Sequence, residues 1–539
     1  MIRFEPPTRC FRFSLCGALL SLAVTVVVLG PSVAGAQPGV RSLAELEEDV
    51  RFQPPSFRLE AMGGLGLAVR DTYNQINLWD FGGLPLGLAT ARDSTSLDLW
   101  INGVGRTLDE RSGGVSYDVD RQHDSQYAGE GVVRSRTRSL AVGADAGSFA
   151  FRRGEPFGDQ SHTTNNGNQP IFVPVATGRL RGPIHWGLRG ILGKETSHRQ
   201  DWEDQVKNGE VKLTPQGSQL APPNLFTPDD IQVPIYGIGV SLGWFKSKKW
   251  EAGPYYDYRR ENVSTSLETA RSIYGTTENR DIQGYGVAAT GRPRKGTEVG
   301  AEVGRELFSS KENYHFTLSG GSVDNPFTGR GERLLRGVRH DYLNLRVQSD
   351  IEGTPLTIGA AYRVHFDHSQ IQGMEGRPSD FNTFVLERVA PDTIQAPSLV
   401  ESGITETRGI DFGGGASLRL LEKKATVGAE YRHFRDALSG TFVSARATGW
   451  EARAGGEYLV HKNIVVRAGY RHHSEDQDTN TPQNELVADR ATAGVQYGGW
   501  RPWTIEGYGY HEWWRTDYPD PQELGGPGTG LGFTLRRLF

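Results

Sequence analysis

Cysteine is nearly absent from this chain of 539 residues: there are two, Cys10 and Cys16, and both lie close to the start. Residues 1–36 read as an export signal. Arg3 and Arg9 precede a short apolar run over 15–29, and Ala34-Gly35-Ala36 forms a small-residue cleavage site that would leave Gln37 first. The exported chain is then free of cysteine, which excludes disulfides, thiolate metal sites and a cysteine nucleophile. Cys16 precedes most of the apolar run, which excludes a lipoprotein anchor. Beyond residue 36 no apolar stretch is long enough for a membrane-spanning helix. The net charge is only -5, and no basic stretch carries interleaved aromatics, so nucleic acid is not an expected partner. Phosphate-binding loops, zinc motifs and EF-hand loops are absent as well, so no cofactor or metal is expected. Asn262-Val263-Ser264 fits a glycosylation acceptor, a signal without meaning in an exported bacterial chain.

What the chain has in quantity is alternation of period two. Ala425, Val427, Ala429 and Tyr431 alternate with Thr426, Gly428, Glu430 and Arg432. The pattern returns at Ile464, Val466, Ala468 and Tyr470, at Ala491, Ala493, Val495 and Tyr497, and at Leu531, Phe533 and Leu535. Successive side chains of a strand point to opposite faces, so each segment has one apolar and one wet face. Many such segments separated by turns predict a transmembrane antiparallel β-barrel, all-β in class. Mean hydropathy is -0.48, glycine numbers 69 and charged residues make up 23%, as a wall that alternates between lipid and water requires.

Turn lengths give the orientation and the count. Short connections are read at 145–147, 181–183, 245–248, 292–295, 352–354, 421–423, 461–463 and 499–502. Long ones are read at 155–170, 197–230, 264–277, 310–336, 368–403, 475–485 and 517–526. Outer-membrane barrels keep short turns on the periplasmic side and long loops outside. The count is about eighteen strands over residues 96–539, with sixteen to twenty open because 109–154 divides in more than one way. The chain ends on Phe539. This resembles the closing strand of Gram-negative outer-membrane barrels, in which a final aromatic is read by the barrel assembly machinery, although the position two before the end is Arg537. The resemblance implies an outer-membrane location, with membrane lipid and that machinery as partners.

Residues 37–95 are a lead-in on the periplasmic side and a candidate plug. Residues 57–70 read either as a strand or as an internal segment. Trp79, Asp80, Phe81 and Pro85 belong to an apolar stretch, 77–89, with no period of two. Such backbone cannot face lipid, because its polar groups need partners there, but it fits inside a lumen. Leu84-Pro85-Leu86-Gly87-Leu88-Ala89 resembles the N-terminal hatch of FadL-type transporters, keeping the Pro, Gly, Leu and Ala but not the Asn. An irregular periplasmic segment is the alternative.

Opposite the apolar face stand Glu298, Glu302, Glu306, Arg346, Arg363, Glu430, Arg432, Glu451, Arg453, Glu457, Arg467, Arg471, Glu506 and Glu512. A charge on the lipid side costs about 2–4 kcal/mol at mid-bilayer depth, so this face is expected to line the lumen. A wall of this size leaves an aqueous lumen unless something fills it. The leading expectation is a pore for hydrophilic solutes, including a polysaccharide export conduit that would need a periplasmic partner. Gated uptake of hydrophobic compounds is the FadL-like alternative. A barrel sealed for structural or adhesive use remains open. Trp244, Trp250, Trp500, Trp503, Trp513, Trp514 and Tyr518 sit near strand ends, as girdle residues do. Stacking of a carbohydrate on Trp513 or Trp514 is the sharper alternative. Finally, His472, Ser474 and Glu485 share the apolar parity near the outer rim and resemble the His-x-Ser and Glu of outer-membrane lipid A deacylases. Glu475 stands where those enzymes carry Asn. The resemblance implies a surface hydrolase as a competing reading.

Overall fold

The computed structural model describes residues 57–67, 69 and 96–538, apart from the connections at 113–114, 135–137, 155–161, 201–229, 247–249, 269–271, 319–326, 376–402, 441–443, 480–483, 500–502 and 518–521. The export signal, Trp79, Asp80, Phe81, Pro85, Trp500, Tyr518 and Phe539 lie outside the described residues. A four-residue helix, α1 (Phe57–Glu60), is followed by turns to residue 67. The described residues of 57–70 thus contain no strand.

Eighteen strands follow: β1 (Ser96–Ser112), β2 (Val115–Arg134), β3 (Arg138–Gly154), β4 (His162–Arg181), β5 (Ile184–Gln200), β6 (Asp230–Lys246), β7 (Trp250–Glu268), β8 (Ser272–Gly291), β9 (Thr297–Leu318), β10 (Phe327–Asp350), β11 (Leu356–Glu375), β12 (Gly403–Leu420), β13 (Ala425–Gly440), β14 (Ser444–His461), β15 (Ile464–Thr479), β16 (Asn484–Tyr497), β17 (Trp503–Asp517) and β18 (Gln522–Leu538). Each pairs antiparallel with its neighbours in sequence, and β1 pairs with β18, from Ser96 opposite Leu538 to Ser112 opposite Gln522. The sheet therefore closes on itself and has no free edge, the condition under which strands can cross lipid.

The alternation sorts the two faces. Exposed apolar residues follow one parity on each strand from β4 to β18: Leu188 and Leu192, Ile238 through Trp244, Phe412 and Leu418, Val427 and Tyr431, Leu531 and Phe533. On β12 this belt runs from Leu420 to Ile410. At roughly 3.3 Å per residue and a tilt near 40°, it is about 25 Å tall, the height of a bilayer's hydrocarbon region. At the turn side the reversals are tight, and Gly182 (φ 59°) and Gly353 (φ 76°) adopt the left-handed conformation that glycine takes without a Cβ clash.

Three expectations need correction. Residues 145–147 are no turn but the middle of β3, paired with 126–128 on one side and 169–171 on the other. Small and polar residues there loosen the pattern without breaking the ladder, because backbone pairing does not depend on side chains. Likewise 155–170, 264–277, 310–336 and 475–485 are mostly strand: β4 begins at His162, β7 and β8 reach Glu268 and Ser272, β9 and β10 reach Leu318 and Phe327, and β15 and β16 reach Thr479 and Asn484. Above the membrane both faces of a strand meet water, so alternation fades while pairing continues. Finally, Trp514 shares the parity of buried Glu512 and faces inward, whereas Trp513 is outward and 51% exposed.

Candidate functional site

The inner wall is defined by what touches the N-terminal segment. Arg58 lies against β14: its Nε and Nη2 donate to the two carboxylate oxygens of Glu457, at 2.9 and 2.5 Å. The Thr492 hydroxyl donates to the Ala61 carbonyl and accepts from the Gly63 N–H, both at 3.1 Å. Glu430 accepts from the Gly66 and Leu67 N–H groups at 3.1 and 2.6 Å. Arg453 donates to the Gly64 carbonyl, Arg346 to the Gly66 carbonyl, and Gln348 to the Leu67 carbonyl at 2.8 Å. These partners come from β10, β13, β14 and β16. The backbone polar groups of a segment with almost no secondary structure are thus satisfied by wall side chains, as burial demands.

Glycines pave the wall beneath it. Gly455 and Gly469 are cross-strand partners on β14 and β15, and a Cβ on either would overlap the backbone of Met62 or Gly63. A Cβ on Gly494 would stand 2.6 Å from the Ala61 side chain. Gly63 in turn has φ 77° and lies close to the Tyr470 backbone. The two backbones meet at a spacing that side chains would prevent. Met62 and Leu65 are fully buried and pack with Val69 and Leu59 into a small apolar core within the lumen.

Around this segment the inward charges are largely paired with one another. Arg432 Nε donates to both oxygens of Asp411 at 2.8 Å. Arg453 and Arg471 both hold Glu451. Arg467 bridges Glu457, at 3.3 Å, to Glu506. Arg490 Nε binds Glu512 at 2.6 Å. Glu302 accepts from Tyr255 at 2.8 Å and Tyr342 at 3.1 Å, and Glu306 shares its parity. Glu298 pairs with Arg292 at the turn side, 2.9 Å away. Arg363 stands in register between Asn344 and Asp411 on the same face. The sequence reading did not single out Arg58, Asp411, Arg490, Thr492 or the paving glycines, because nothing in one strand reveals the segment that will lie across it.

The opposite side of the lumen differs. On the inner face of β4 to β7, Ile171, Val173, Ile191, Val233, Ile235 and Val263 are all buried. Below and beside them lie two polar boundaries, the Arg189–Asp257 pair at 2.5 Å and the Arg259–Glu261–Arg280 chain. At the same height the outer face carries exposed Phe172, Leu192 and Tyr236, so the wall is apolar on both sides. Its ladder is also interrupted. The β4–β5 register skips 169–170 and 173–174, each with a proline, Pro170 and Pro174. The β6–β7 register skips 233–234, with Pro234, and 242–243, opposite Pro254. Proline has no N–H to donate, and each gap falls where that donor is missing.

His472, Ser474 and Glu485 all face outward, but the fold does not join them. His472 Nδ1 lies 2.7 Å from Asp489, which also accepts from Tyr470, and its ring packs 4.8 Å from that of Trp450. Ser474 is opposite Val487 and Trp450, and Glu485 is opposite Asp476 and Asp517. Among the described residues no hydrogen bond links Ser474 to His472 or Glu485. The imidazole is committed to a carboxylate the sequence reading did not consider. Among the described residues no group of three or more His, Cys, Asp and Glu side chains could hold a metal ion.

A closed antiparallel wall, a belt of bilayer height outside and paired charges inside define the protein as a transmembrane β-barrel of the outer-membrane type. No family model and no curated protein matches the sequence. Among solved structures, the chain is similar to the Pseudomonas putida toluene transporter TodX, at 11% identity over 90% of this chain and 99% of that one, with a TM-score of 0.40. It is similar to a Pseudomonas aeruginosa FadL homologue at 10% identity over 90% and 99%, TM-score 0.41. The ferric yersiniabactin uptake receptor FyuA from Yersinia pestis matches at 10% identity over 83% and 81%, TM-score 0.43.

Proposed function

We propose that this barrel is an uptake channel for small hydrophobic compounds, closed at rest by residues 57–69. The observation that carries this reading is the apolar inner patch of β4 to β7, lying where prolines interrupt the ladder and where the outer face is apolar as well. A hydrophobic solute gains about 25 cal/mol for each Å² of apolar surface it removes from water; on β13 to β17 the inward apolar residues Phe434, Leu486, Tyr508 and Tyr510 stand among paired charges instead. The docked segment supplies the gate, because it is held by side-chain contacts that can be exchanged rather than by strand pairing.

The test is uptake of a radiolabelled monoaromatic hydrocarbon by cells that lack their own porter and express this protein. Uptake should exceed that of empty cells, and Ile191→Asp with Val233→Asp should reduce it several-fold while the barrel still assembles. Uptake equal to empty cells would reject the reading.

A second reading is favoured by the paired charges of β9 to β18: a conduit for hydrophilic solutes, polysaccharide export among its variants. It requires sucrose permeation and a large steady ion conductance from the intact protein, neither of which the first reading needs.

A further inference from the structure

We infer that the outer rim over β12 to β14 binds the phosphate of a phosphorylated glycolipid of the outer leaflet. The belt on β12 ends at Ile410, and the next outward position is Arg408. On β13 the outward row Val427, Tyr431, His433 is followed by Arg435. On β14 Trp450 and Thr448 are followed by Arg446. Three consecutive strands therefore place a guanidinium just above the hydrocarbon, at the depth of lipid headgroups.

Register brings the three together. Arg408 and Arg446 lie on either side of Ala437, while Arg435 is opposite Ile410 and Thr448, one outward position lower. Arg408 and Arg446 are thus two strand spacings apart, about 10 Å, with Arg435 between them. All three are exposed. The planar fork of arginine matches phosphate oxygens two at a time.

Partnering separates this patch from the described rim of β7 to β10. On β7 to β10 the outward arginines are neutralised from within the protein: Arg260 by Asp281 at 3.7 Å, and Arg339 at 2.9 Å together with Arg305 by Asp341. On β12 to β14, Glu406 pairs with Arg408 in the same way, at 3.8 Å. Arg435 and Arg446 form no ion pair among the described residues, and Asp478, opposite Arg446 in register, makes none with it. Two guanidinium groups remain at headgroup depth, where a lipid phosphate is the anion at hand.

The test uses the full barrel in detergent and native mass spectrometry, with bisphosphorylated lipid A and its dephosphorylated form as probes. The wild type should prefer the phosphorylated form. The Arg435→Gln/Arg446→Gln variant should bind it at least about tenfold more weakly and lose the preference, as expected when charge-assisted hydrogen bonds are removed. Arg260→Gln should behave as wild type. Heat-modifiable migration establishes that each variant is a folded barrel. Equal binding of the two lipids by the wild type, or an unchanged preference in the double variant, would overturn the proposal.

Discussion

A single methyl group on Gly469 is expected to lift the N-terminal segment from the wall. In Gly469→Ala the new Cβ falls on the backbone of Met62 and Gly63, which cannot rotate aside as a side chain would. Gly63 already occupies φ 77°, so rerouting that backbone is restricted, and Arg58–Glu457 on one side and Glu430 on the other fix the segment beyond the clash. Forcing a methyl into a packed contact costs about 1–3 kcal/mol. At about 1.4 kcal/mol per factor of ten, the docked-to-undocked ratio should fall roughly 5- to 150-fold. Planar-bilayer recording would register this as more frequent openings, and amide exchange as lost protection over 57–67. Gly300→Ala is the control, since nothing lies within 4 Å of a Cβ at Gly300. Conductance and protection identical to wild type in Gly469→Ala would refute the argument that the glycines hold the segment.

Arg58→Ala removes a two-point charge-assisted contact and leaves Glu457 to Arg467; protection of 57–60 should fall by the equivalent of about 1.5–3 kcal/mol in hydrogen exchange. Pro174→Val and Pro234→Val each restore an N–H donor in a ladder gap, so urea unfolding should show about 0.5–1.5 kcal/mol more stability per site. Uptake of the hydrophobic probe should slow in those variants, and unchanged uptake would count against a role for the interrupted seams. Fatty-acid release from an acylated glycolipid should match that of empty vesicles both for the wild type and for Ser474→Ala; release abolished by Ser474→Ala would mean that the serine meets a base in some other state.

The fold was legible because alternation is a property of single strands. The rows beginning at Ala425, Ile464, Ala491 and Leu531 became the wall strands β13, β15, β16 and β18, with Tyr431, Val466, Tyr470, Val495 and Phe533 on the lipid side. The inward position of Glu430, Glu451 and Arg467 followed from the same parity. The pattern failed where the environment stops being two-sided, as at the wet outer ends of β7 to β10. It failed also at Trp514, where closeness to a strand end outweighed parity, and at His472, where only the register brings in Asp489.

The sequence by itself determined that this chain crosses the outer membrane in strands, and which side chains meet lipid, because a period of two is written in consecutive residues. The tertiary structure alone decided that Glu430, Arg453, Glu457 and Thr492 hold the N-terminal segment on a glycine floor. It alone decided that the apolar patch of β4 to β7 lies beside four prolines in broken ladders. Those contacts join residues as many as 431 positions apart, and only the closure of the sheet fixes which of them share a height on the wall.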